Sequence, residues 1–199
     1  KTLYLADSRN RNTSAVYAID SATGERTLLA EDARADIGGG LSSLSDPRTG
    51  ELQAVTVDYL REEWKPLGDA LTADLKTLEG IGPGETRVNT RTLDDKTWIV
   101  AYSAAESPVV YYRYDRNPGA EGKLTRLFSA RPALDGKPLV PMWPQELTSR
   151  DGLTLPSYLT LPATADADDE GKADHPVPMV LLVHGGPWGR DSYGYGSYE

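Results

Sequence analysis

The chain reads as mainly β, passing near its C-terminal end into the opening of an α/β segment. Three observations predict this. Short alternating strands recur around Asp-to-Gly turns through the first two thirds. A proline-rich stretch, "SARPALDGKPLVPMWPQ", then breaks the pattern. Finally a continuous apolar run, Val177 to Val183, enters the sequence His-Gly-Gly-Pro.

The repeat comes first. "SAVYAIDSATGERTLLAED" and "SPVVYYRYDRNPGAEGKLTRLFSA" each read as a strand, an Asp, a Gly-containing turn and a second strand. "LSDPRTGELQAVTVDYL" repeats half of the unit. The side chains of Asp20, Asp46 and Asp115 are expected to bond their own following backbone. Gly24, Gly50 and Gly122 are expected to supply positive φ. Another strand, Thr97 to Tyr102, precedes the hairpin at Val109, and a return near Leu127 completes a four-stranded sheet. Repeated four-stranded sheets suggest blades of a β-propeller. A β-sandwich of similar hairpins is the alternative that the repeat alone leaves open. Between strands, Leu71, Leu75 and Leu78 share one helical face and Gly80 ends it, which predicts a short helical insert.

Beyond residue 130 the prolines favour extended backbone, so 131–145 reads as a linker. "QELTSRDGLTLPSYLTLP" reads as two strands around Asp151-Gly152. "ATADADDEGKADHP" reads as a mobile surface loop, with the acidic run Asp166 to Glu170 facing solvent. The apolar run that follows has the character of a central strand buried on both faces.

Composition excludes several classes. The 199 residues carry a net charge of −9, which argues against nucleic-acid binding through a basic surface. There is no cysteine, hence no thiolate nucleophile or Cys-based metal site, and two histidines are too few for a His-rich one. No apolar stretch is long enough to span a bilayer.

A strand ending in His-Gly-Gly leaves the sheet with N–H groups exposed, because no Cβ blocks the approach. Amides fixed there stabilise the oxyanion of an acyl transfer. Gly185 and Gly186 are the candidates; a plain Gly-rich turn is the simpler reading of an isolated His-Gly-Gly.

"SRDGLTLPSYLTLP" followed by "PMVLLVHGGPWGRDSYGY" resembles the prolyl oligopeptidase family of serine peptidases. The similarity is to its bacterial dipeptidyl-aminopeptidase and acylaminoacyl-peptidase-like branch. "DSRNRNTSAVYAID", "DYLREEWKPL" and "LFSARPALDGKPLVPM" are similar to that branch's last propeller blades and linker. The resemblance implies propeller blades over 1–130, the linker, and over 146–199 the first strands of an α/β-hydrolase domain. It implies hydrolysis of short peptides through an acyl-enzyme, with no cofactor and no metal. The oxyanion role falls first on Gly186, then on Gly185, with His184 and Pro187 supporting the loop. A buried structural role for His184 is the alternative.

No Gly-x-Ser-x-Gly elbow occurs in these residues. Ser192 and Ser197 lie too close to the oxyanion loop, and neither His175 nor His184 replaces the base histidine. None of the triad is therefore expected here. The chain alone is expected to be inactive, and unstable or aggregating without the C-terminal catalytic portion as partner.

Further cleft candidates are Trp188, Tyr193, Glu62 and Glu63. The family implies that carboxylates hold a substrate's free amine. The plainer reading of Glu62-Glu63 is a solvated charge pair at a helix start, and of Trp188 and Tyr193, packing between domains. Arg190 and Asp191 are expected to pair with each other or to brace the loop. A propeller-based binding or scaffold protein and an esterase-like hydrolase remain alternative functions. Relatives occur in the cytoplasm and in the bacterial envelope.

Overall fold

Turn chemistry repeated in the sequence is repeated in space. A computed structural model describes residues 1–37, 42–186 and 189–196. The first antiparallel sheet holds β1 (Thr2–Asp7), β2 (Ala15–Asp20) and β3 (Arg26–Ala30). The second holds β4 (Ser43–Ser45), β5 (Leu52–Asp58) and β6 (Glu62–Pro66). The β2–β3 and β4–β5 turns have one design. Asp20 Oδ1 accepts the N–H groups of Ala22 and Thr23 at 2.7 and 3.0 Å, and Gly24 turns back at φ 74°. Asp46 Oδ1 accepts those of Arg48 and Thr49 at 2.8 and 2.9 Å, and Gly50 turns back at φ 75°. A glycine takes this left-handed backbone without the Cβ penalty of other residues.

The third turn departs from the expectation. Asp115 does not bond its own following backbone. Its carboxylate accepts Thr97 Oγ1 at 3.0 Å and Arg113 Nε at 2.9 Å. Gly119, not Gly122, provides the positive φ, at 80°. Gly122 lies inside the next strand beside a register shift, where an added Cβ would stand 2.5 Å from the Tyr114 ring. Its role is clearance for a buried aromatic.

The third sheet has four strands in the order β10-β9-β8-β7: β7 (Glu85–Arg91), β8 (Thr97–Ala104), β9 (Ser107–Asn117) and β10 (Ala120–Ser129). This is the sheet expected from the strand, strand, hairpin and return. The helical insert is α1 (Thr72–Glu79), with Leu71, Leu75 and Leu78 buried and Gly80 at its C-cap. These leucines pack with Leu44 and Ala54 of the second sheet and Trp98, Val100 and Tyr114 of the third. The first sheet joins the second through Val16, Ala30, Ile37 and Val55. The sheets thus pack in chain order.

A polar network sits inside this apolar core. Tyr114 donates its hydroxyl to Asp74 Oδ1 at 2.9 Å, and Arg116 donates to Asp74 Oδ2 at 2.6 Å. Burial pushes the Tyr114 hydroxyl up to about 12, so it keeps the proton it donates. Asp95 accepts Trp98 Nε1 at 2.8 Å, and pairs with Arg91 and Arg116. Every buried charge here meets an opposite one, the condition under which burial is tolerated.

The last hairpin joins β11 (Met142–Thr148) to β12 (Thr154–Thr160), and Gly152 turns at φ 84°. β11 therefore begins inside the expected linker. Among the described residues after β12 no strand or helix forms. The acidic loop is compact, against expectation at one residue. Asp166 is buried, not solvent-facing: it accepts Trp143 Nε1 at 3.0 Å and the N–H groups of Glu170 and Gly171. The run Val177 to Val183 is not a strand. Its side chains from Met179 onward stand in solvent, with Val180 91% exposed. A central strand needs hydrogen-bonded neighbours and two covering layers, and none of the described residues supplies them.

Candidate active site

The β5–β6 turn and the segment after His184 meet in one place. Asp58 lies opposite Glu62 in the register of β5 and β6, and successive strand residues point to opposite faces. Glu62 is turned inward, accepting Thr56 Oγ1 at 2.9 Å and Arg87 at 3.1 Å; Glu63 is exposed. The adjacent pair therefore does not act from one face, and it belongs to a strand, not to a helix start. What converges is Asp58, Glu62 and Glu85, whose Oε1 accepts the Glu62 N–H at 2.8 Å. Burial pushes Glu85 from its ordinary 4.5 up to about 7. The Glu62 N–H and the Arg61 charge act against that rise, and the charges of Glu62 and Asp58 add to it. Burial raises Asp58 too, with Arg190 opposing it.

Arg190 reaches this turn from the C-terminal segment. Its guanidinium donates to the Asp58 carbonyl at 2.5 Å, to the Tyr59 carbonyl at 2.7 Å and to Tyr158 Oη at 3.3 Å. It also stands 3.3 Å from Asp58 Oδ1. The Tyr158 hydroxyl donates in turn to the Leu60 carbonyl at 3.0 Å. Of the two expectations for Arg190, bracing matches the geometry. With Asp191 it shares only a bond from Nε to the backbone carbonyl, at 3.1 Å. Tyr193 is buried with Ala105 and Met142 against Tyr158, and the Arg61 guanidinium lies 4.0 Å from its ring centroid. Packing is thus its observed part.

The His-Gly-Gly loop itself is open. His184, Gly185 and Gly186 are exposed, so His184 is not a buried structural histidine. His184 Nδ1 stands 2.8 Å from the Gly185 carbonyl oxygen. Among the described residues no acceptor meets the N–H of Gly185 or Gly186. Gly189 folds back over the loop: a Cβ there would stand 2.7 Å from Gly185 O, a clash with backbone that only glycine avoids. Pro187, Trp188 and Ser197 lie outside the described residues. Pockets form around Tyr195, lined by Ala105, Leu139 and Met142 and by Pro108, Val109 and Arg131, and neither is lined by Gly185 or Gly186.

Arg190 thus joins the segment that follows the loop to a turn rich in carboxylates. Asp58, Glu85, Tyr158 and Gly189 escaped the sequence reading. Asp58 was recoverable from the alternation that pairs it with Glu62; the others depend on which strands the fold brings together. Among the described residues no group of three or more His, Cys, Asp or Glu is arranged to hold a metal ion, and no helix is long and apolar enough to cross a membrane.

Comparison with known proteins supplies the context. No protein-family model matches the chain. Dipeptidyl aminopeptidase BIII of Pseudoxanthomonas mexicana is 69% identical over all 199 residues, which span 28% of that protein. Dipeptidyl peptidase family member 6 of Caenorhabditis elegans is 32% identical over 187 residues, 86% of this chain and 24% of that protein. The chain thus spans about a quarter of the length of the relatives it matches. A structure from a study of two prolyl endopeptidases matches with a TM-score of 0.48 and 14% identity, over 80% of this chain and 23% of that one.

Proposed function

The chain belongs to the prolyl oligopeptidase family, and from that premise we propose that its parent protein is a serine peptidase releasing dipeptides from free N-termini through an acyl-enzyme. The observation that carries the proposal is 69% identity to a dipeptidyl aminopeptidase across the whole chain. In this reading 1–130 contribute propeller blades, 131–145 the linker and 146–199 the opening of the α/β-hydrolase domain. The sheets packed in chain order support the blades. The exposed run Met179 to Val183 supports a strand completed by polypeptide beyond these residues.

The attacking serine belongs to an elbow outside these 199 residues, with its acid and base. When its Oγ attacks the scissile carbonyl, negative charge collects on the carbonyl oxygen. The N–H of Gly186, or that of Gly185, donates to it together with the N–H after the nucleophile. His184, 2.8 Å from the Gly185 carbonyl oxygen, supports the loop.

The test uses the full-length protein. Unblocked dipeptidyl chromogenic substrates are expected to be cleaved, N-acetylated ones spared, and one serine labelled by a fluorophosphonate. Gly186→Pro, which deletes the N–H, is expected to lower kcat by about 10²–10³-fold. Absence of both hydrolysis and labelling in the wild type would sink the peptidase reading and favour a scaffold protein.

A further inference from the structure

We propose that Arg190 is a positioning residue that fastens the oxyanion loop to the β5–β6 turn, so that the propeller-side turn sets where the Gly185 and Gly186 amides point; the proposal rests on the peptidase reading for its catalytic consequence.

The contacts form a continuous path. The guanidinium holds two successive main-chain carbonyls, Asp58 at 2.5 Å and Tyr59 at 2.7 Å. The planar fork of donors meets two acceptors at once, which a lysine ammonium on a flexible stem does not reproduce. Tyr158, from β12, adds to the grip by donating to the Leu60 carbonyl while standing 3.3 Å from Arg190. Three consecutive carbonyls of the turn are thereby held.

The other end of the path is Gly189. Its Cα side lies against Gly185 O so closely that no side chain fits. Arg190 follows directly, so anchoring its side chain limits where Gly189, and the loop folded under it, can move. The turn is also the one that carries Asp58, opposite Glu62 and near Glu85. Residues far apart in sequence, 58 to 60 and 184 to 190, become one unit.

The experiment measures two things in the full-length protein: hydrogen exchange of peptides covering 184–196, and kcat and KM on an unblocked dipeptidyl chromogenic substrate. Arg190→Ala is expected to raise exchange in 184–196 and to lower kcat about 10–100-fold, with KM changed less than about threefold, as for a misplaced donor. Arg190→Lys is expected to recover little of either. Tyr158→Phe gives a smaller change of the same kind, and serves as the test where Arg190→Ala fails to fold. Unchanged exchange overturns the proposal whatever kcat does, and so does unchanged kcat in an active enzyme. A KM rise with kcat intact also overturns it, since that marks substrate contact. An inactive, unlabelled wild type refutes the peptidase reading; the exchange difference then decides the fastening by itself.

Discussion

Two apolar stretches of this chain meet opposite fates. β8 carries Trp98 and Val100 with no exposed surface, while Val180 and Leu181, in a run at least as apolar, are 91% and 77% exposed. β8 is hydrogen-bonded along both edges by β7 and β9 and covered by the leucines of α1. The run Val177 to Val183 has neither edge nor cover among the described residues. Apolar side chains gain from leaving water only where a surface waits for them and where the backbone N–H and C=O groups that go with them are paired.

The largest test of this contrast lies in the buried network beneath β8. Asp74→Ala removes the acceptor of the Tyr114 hydroxyl and one of the two carboxylates that pair with Arg116, leaving it Asp95. Leaving Tyr114 without its acceptor and Arg116 with a single carboxylate is expected to cost about 3 kcal/mol, read as a lowered urea midpoint. A loss under about 1 kcal/mol would mean that the network is decoration on a core held by α1 alone.

A middle-sized effect is expected at Glu85, on β7 at the edge of β8. The native state holds the Glu85 proton up to about 7, whereas the unfolded chain releases it near the ordinary 4.5. Between these values the native state binds more protons, so stability falls as pH rises through the window and levels off above it. The fall should be on the order of 2 kcal/mol, discounted for partial solvation. Glu85→Gln should flatten it in denaturation curves taken across the window. A slope that survives the substitution would move the effect to Asp58.

The smallest effect sharpens the contrast from the other side. Leu181→Asp should change the stability of this chain by less than about 0.5 kcal/mol, because an exposed leucine has little burial to lose. The same substitution in the full-length protein should be severe if other polypeptide covers the run. Thermal melts of both forms decide it; equal effects in the two would remove the case for a completed strand.

The hairpins were legible because their cause is local. Asp-x-x-Thr-Gly-Glu, at Asp20 and again at Asp46, contains the acceptor, the turn and the positive-φ glycine within six residues. The helical insert was legible for the same reason, through the spacing of three leucines. Asp115 misled because its carboxylate had a partner across the sheet, Thr97, that competes with its own turn. Glu62 and Glu63 misled because adjacency in sequence becomes opposition in a strand. Asp166 looked solvated among acidic neighbours, yet the Trp143 indole reaches it from twenty-three residues away.

By itself, then, the order of residues determined the mainly β character, the turns at Asp20 and Asp46 and the helix, all of which arise from short-range backbone and side-chain preferences. Only tertiary structure decided that Asp58, Glu62 and Glu85 share one site, that Gly122 makes room for Tyr114, and that Arg190 grips the Asp58 and Tyr59 carbonyls. Those outcomes depend on which distant segments compete successfully for the same buried space and the same hydrogen-bond partners, and no local pattern encodes that competition.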